Sequence, residues 1–88
     1  MQNIDPIEIK QTVKAYVLDN FLPGEDPDEM TDTTSLVTGG ILDSLATVKL
    51  VNFLEKRYNI EFRPHEMSAE YLDNLNIIAE TLSSKRPA

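Results

Sequence analysis

The stretch Gly39–Val51, GGILDSLATVKLV, decides how this chain is read. Two glycines stop whatever precedes them, and Asp43 is a good N-cap for a helix whose first turn then holds Ser44. From there Leu45, Val48, Leu50, Val51, Phe53 and Leu54 recur at helical spacing, more apolar residues than one face can hold. Leu50, Val51 and Leu54, with help from Phe53, make an inward stripe. Leu45 and Val48 are then left partly outward, beside the serine. The spacing predicts a helix from Asp43 or Ser44 to Tyr58, ended by Asn59.

On the N-terminal side, Asp5-Pro6 reads as a helix start, with Asp as cap and Pro at the first helical position. Ile9, Val13, Tyr16, Val17 and Phe21 give that helix one apolar face, and Pro23-Gly24 ends it. The segment GEDPDEMTDTTSLVTGG that follows is long, polar and turn-rich, which in so small a domain requires a function or side chains that pin it. Leu36 and Val37 are the candidate pins, with Ile41 and Leu42 closing the far end. On the C-terminal side, Ile60-Glu61-Phe62 is a short extended segment with two apolar anchors, broken at Arg63-Pro64. A short helix is expected around Glu66 to Tyr71, with Tyr71 and Met67 inward. A last helix follows, capped by Asp73, with Leu75, Ile78, Ala79 and Leu82 inward, before a frayed SSKRPA. The expectation is an all-α four-helix arrangement: three longer helices, one short one, and a long loop between the first two. Residues 1–84 form a single domain and 85–88 a flexible tail.

Eighty-eight residues can bury one core and no second one. The 15 acidic and 8 basic residues leave a net charge of −7, which disfavours binding to nucleic acid or an anionic membrane surface. There is no cysteine, so there is no disulfide, no thiolate metal site and no thiol of the chain's own. No apolar run reads as a signal peptide or a membrane span, so the expected location is the cytoplasm. Glu25, Asp26, Asp28, Glu29 and Asp32 cluster in the loop, but the glycine and the twelfth-position glutamate of a calcium loop are missing. A solvated acidic loop is the expectation, and no metal site is assigned.

Ser44 is the residue with chemical interest. At the start of a helix it lies where backbone N–H groups are unpaired and the dipole is positive, so a phosphate ester there gains up to about 1 kcal/mol. Gly39 and Gly40 allow a sharp turn and keep bulk away from the hydroxyl. A hydrolytic role fails on inventory: His65 is the only imidazole, and no G-x-S-x-G elbow surrounds the serine. Taken alone, Asp-Ser before a helix is an ordinary cap.

G-G-I-L-D-S-L followed by V-x-L-V-x-x-L-E resembles the phosphopantetheine attachment motif of acyl carrier proteins and peptidyl carrier domains, and the resemblance continues along almost the whole chain. It implies a non-catalytic helical bundle with 4′-phosphopantetheine joined to Ser44 by a separate phosphopantetheinyl transferase, using Mg²⁺ and coenzyme A. Asp43 and Leu45 would flank the attachment point. The arm would supply the missing thiol, to which a ligase attaches an acyl or aminoacyl group as a thioester. A flexible tether raises the cargo's effective concentration at each downstream synthase or transferase. The resemblance further implies a monomer.

Carriers of fatty acid synthesis typically display acidic residues just after the serine, where this chain has Ala46 and Lys49, and often an exposed apolar residue where it has Asn52. EYLDNLNIIAETL, with Tyr71 in an aromatic slot, resembles instead the ending of discrete carriers in aminoacyl and specialised-metabolite pathways. The expectation is therefore a free-standing carrier of that kind, with Leu42, Leu45, Val48, Lys49 and Asn52 as its docking face. A fatty-acid carrier and an unmodified helical adaptor are the alternatives.

Overall fold

The computed structural model describes residues 5–85, and all regular structure among them is helical: α1 (Pro6–Phe21), α2 (Ser44–Tyr58), α3 (Ala69–Leu72) and α4 (Leu75–Ser83), with single 3₁₀ turns at Pro27–Glu29 and Pro64–Glu66. The three-long, one-short helical plan expected from the spacing is the one observed. α1 begins as its sequence dictates, with the Asp5 carboxylate accepting from the Ile7 N–H at 3.0 Å and Pro6 in the first turn. Ile9, Val13 and Val17 are fully buried, while Tyr16 and Phe21 pack on the edge of the core. α2 ends at Asn59, which takes a left-handed conformation (φ 52°, ψ 52°), one that asparagine tolerates better than most residues. Its inward stripe is Leu50, Val51 and Leu54, and Phe53 stacks on Tyr16 with ring centroids 4.2 Å apart.

α1 is the central element. It packs chiefly on α4 and also on α2. Leu75, Ile78, Ala79 and Leu82 of α4 join Ile9, Val13 and Val17 in one buried core, together with Leu72 of α3 and the anchors Ile60 and Phe62. A polar knot also ties α1 to the end of α2. Glu8 accepts from the Tyr58 hydroxyl at 2.6 Å, from Arg57 at 3.0 Å and from Thr12 at 3.0 Å. The Tyr58 hydrogen bond foremost holds the Glu8 carboxyl below its ordinary pKa, and desolvation, with Glu8 next, pushes the Tyr58 phenol up.

Two expectations about the C-terminal third are corrected. The short helix does not span Glu66 to Tyr71. Pro64 starts a 3₁₀ turn instead, stabilised by the Glu66 carboxylate accepting from the Arg63 N–H at 2.8 Å, and extended Ser68 separates it from α3. Nor does Asp73 cap α4: Asn74 does, its side chain accepting from the Ile77 N–H at 2.8 Å. Asp73 turns the other way, onto the long loop. Lys85, where the tail was expected to begin, pairs with Glu66 at 2.6 Å and lies 4.9 Å from the Phe62 ring centroid. The rest of that tail, 86–88, is outside the described residues.

The long loop is pinned, as its length demands. Leu36 is fully buried and Val37 half-buried, and Met30, which the spacing left unassigned, is buried as well. No helix among the described residues is long and apolar enough to cross a membrane.

Candidate functional site

The chain approaches Ser44 through a closed turn. The Leu42 N–H donates to the Leu36 carbonyl at 2.8 Å, so residues 36–42 form a loop within the loop. Gly39 and Gly40 are needed there for different reasons. A Cβ on Gly39 would collide with the Ser35 carbonyl oxygen, and Gly40 has φ +84°, where side chains are strained. The base of this turn rests on the α3–α4 junction. The Asp73 Oδ1 accepts from the Val37 and Thr38 N–H groups, each at 2.9 Å, and its Oδ2 accepts from the Thr38 hydroxyl at 2.9 Å. The Asp73 carbonyl also takes the Leu36 N–H at 2.6 Å. These bonds, the Thr38 N–H foremost, keep the Asp73 carboxyl below its ordinary pKa. Nothing in the sequence pointed to this latch, because its partners are 35 and 36 residues apart.

Asp43 then caps α2. Its carboxylate accepts from the Ala46 N–H at 2.8 Å, and its carbonyl accepts both the N–H and the hydroxyl of Thr47, at 2.9 and 2.8 Å. The cap satisfies the third N–H of the helix and leaves those of Ser44 and Leu45 without an intrahelical acceptor. Ser44 is the first helical residue and is exposed, and among the described residues its hydroxyl has no hydrogen-bond partner. His65 is engaged edge-on with Tyr71 at 5.8 Å between ring centroids. The result is an open alcohol in a field that favours anions, with no base hydrogen-bonded to it.

Around the hydroxyl, Leu45 is 63% and Val48 41% exposed, and Lys49 and Asn52 are exposed on the same side of α2. Exposed Leu45 beside exposed Val48 is an apolar patch that the core does not use. A groove of about 310 Å³ runs beside the serine, lined by Asn20 and Phe21 of α1, Ile41, Asp43, Leu45, Ala46 and Lys49. Leu42 is not part of this face. It is 2% exposed and belongs to the core, because closure of the 36–42 turn points it inward. Among the described residues no three His, Asp or Glu side chains gather as a metal site needs. Asp26 caps the Pro27–Glu29 turn and Asp32 pairs with Lys10 at 3.1 Å.

Comparison with known proteins adds what geometry alone cannot. No protein-family model matches the chain. Two D-alanyl carrier proteins, from Streptococcus suis strains 98HAH33 and 05ZYH33, are each 35% identical to it over 72 residues, which is 82% of this chain and 87% of the relative. The chain belongs to this carrier-protein family. Within a carrier, the parts described above divide by position. The Asp73 latch and the Asp43 cap hold the backbone on either side of the turn, and the exposed surface of α2 starts at Ser44.

Proposed function

We propose that this carrier holds an aminoacyl group as a thioester on a 4′-phosphopantetheine arm attached to the Ser44 hydroxyl, and itself catalyses nothing. The observation that carries the reading is the exposed Ser44 hydroxyl at the first position of α2, without a hydrogen-bond partner among the described residues, beside two backbone N–H groups that have no intrahelical acceptor. Those amides and the helix dipole favour a phosphodiester, and the Asp43 carboxylate, engaged with the Ala46 N–H, is turned into the helix end. The arm supplies the thiol that a cysteine-free chain lacks. D-Alanine is the favoured cargo, on the strength of the named relatives. Ala46 and Lys49 where fatty-acid carriers typically show acidic residues, and Asn52 where they often show an exposed apolar one, favour this over a fatty-acid role.

In this reading a phosphopantetheinyl transferase modifies Ser44 and an ATP-dependent ligase charges the thiol, both in the cytoplasm. Leu45, Val48, Lys49 and Asn52 form the face these enzymes approach, and the carrier works as a monomer. The test is intact-mass analysis after incubation with a broad-specificity transferase, coenzyme A and Mg²⁺. One phosphopantetheine adduct is expected on the wild type and none on Ser44→Ala. The modified chain should then gain one alanyl mass with D-alanine, ATP and a D-alanine-activating ligase. An adduct on the alanine variant, or a folded wild type that resists modification, overturns the assignment.

A further inference from the structure

The molecule's charge is segregated along the chain. Of 15 acidic and 8 basic residues, seven acids and no base lie between Ala15 and Val48, so the other residues hold eight of each and cancel. The entire net charge of −7 therefore sits on the C-terminal half of α1, the long loop and the head of α2. Within this acidic region is a groove of about 570 Å³, larger than the one beside Ser44 and sharing no residue with it. It lies between the second half of α1 and the 22–27 turn. Leu18, Leu22, Pro23 and Pro27 line it, with Asp19 and Glu25 as acids and Lys14 as its one lining cation. Asp19 and Glu25 are exposed and make no ion pair among the described residues. Ile7, 65% exposed, lies on the same side of α1, since residues 7, 11, 14, 18 and 22 follow one another at helical spacing. This stripe is roughly opposite the buried Ile9, Val13 and Val17; Leu18 and Leu22 touch the edge of the core yet stay only half-buried, and each still offers part of its side chain to the groove.

We propose that this groove is a docking site for a cationic amphipathic segment of a partner protein. One or two apolar side chains of the segment lie against Leu18, Leu22, Pro23 and Pro27, and its basic residues face Asp19 and Glu25. Charge complementarity selects this occupant. An anionic lipid surface or a nucleic acid would meet the most negative part of the chain, whereas a basic segment is steered towards it and then held by apolar contact. Because the groove and the Ser44 site share no lining residue, a partner can be held here while the serine stays accessible. The proposal does not depend on Ser44 being modified.

The experiment is an amide-resolved NMR titration of the ¹⁵N-labelled chain with a synthetic amphipathic leucine–lysine peptide. Two control peptides are used, one with glutamate in place of lysine and one with serine in place of leucine. Saturable shifts centred on residues 14–27 are expected with the leucine–lysine peptide alone, and they should weaken on raising salt. The doubly reversed variant Asp19→Lys/Glu25→Lys, checked for an unchanged melting curve, should bind on the order of tenfold more weakly. Equal binding of the lysine–serine peptide would show charge without a groove and overturn the proposal. So would shifts centred on Leu45 and Val48, or none that saturate. Concentration-dependent shifts at residues 14–27 without peptide would make a second copy of the chain the occupant, and overturn it likewise.

Discussion

Replacing Asp73 with alanine removes three hydrogen bonds at once: those from the Val37 N–H, the Thr38 N–H and the Thr38 hydroxyl, each at 2.9 Å. Hydrogen bonds to a charged acceptor are worth about 1.5–3 kcal/mol apiece when both groups are dry. Here Thr38 is exposed and water can take over its two donors, while the Val37 N–H is part-buried and fares worse. The expected loss is therefore about 2–3 kcal/mol, nearer the value of one strong bond than of three. In a domain of this size that lowers the melting temperature by roughly 10–20 °C. Asparagine at the same position is the control. Its carbonyl oxygen can accept from both N–H groups, and its amide can donate to the Thr38 hydroxyl, so Asp73→Asn should lose less than about 1 kcal/mol.

Thermal and urea unfolding followed by circular dichroism measure both variants. The pH dependence provides a second check. A carboxyl whose folded pKa is depressed contributes stability that is present above its unfolded pKa and is lost as pH falls through the folded one. The gap between wild type and Asp73→Ala should thus be full at neutral pH and shrink below about pH 4. A loss under about 0.5 kcal/mol in the alanine variant would refute the latch. A gap that stays constant into acid would show that the carboxylate's charge is not what holds the loop.

Three further outcomes follow from the same geometry. Asp43→Ala should cost about 1 kcal/mol through the lost cap on the Ala46 N–H, read as a lower urea midpoint, whereas Ser44→Ala, whose hydroxyl has no partner, should leave that midpoint nearly unchanged. Leu42→Ala should destabilise by about 2–5 kcal/mol as a core cavity, while Leu45→Arg and Val48→Glu on the exposed face should leave unfolding little changed and raise KM with the transferase or ligase; unaltered KM values would remove the docking role. In acid, Glu8, held down chiefly by Tyr58, and Glu66, held down chiefly by Lys85, both lose stabilising interactions as they protonate, so unfolding free energy should rise with pH through about 3–5 and then level off. A stability profile flat across that range would contradict both pairings.

What was legible in the sequence and what was not divides along a physical line. Helix starts and stops are local: Asp5-Pro6, Asp43-Ser44 and Asn59 settle their own geometry through bonds within a turn, and the structure has them where spacing placed them. Buried stripes are nearly local, since a 3.6-residue period needs only a core on one side. The misplaced residues are those whose role depends on a partner far along the chain. Asp73 could satisfy either the next helix or a distant loop, and Asn74 beside it was equally able to cap, so the choice fell to tertiary contact. Leu42 and Leu45 are the same residue type three positions apart on either side of the cap, yet one is core and the other surface. Their difference comes from a hydrogen bond between Leu42 and Leu36 that no periodicity records. The same reasoning explains why the exposed position of Ser44 at the head of α2 was legible and its support was not. An exposed residue at the head of a helix is announced by the helix itself. The turn that holds it open rests on the other end of the fold, where the Asp73 latch joins the two.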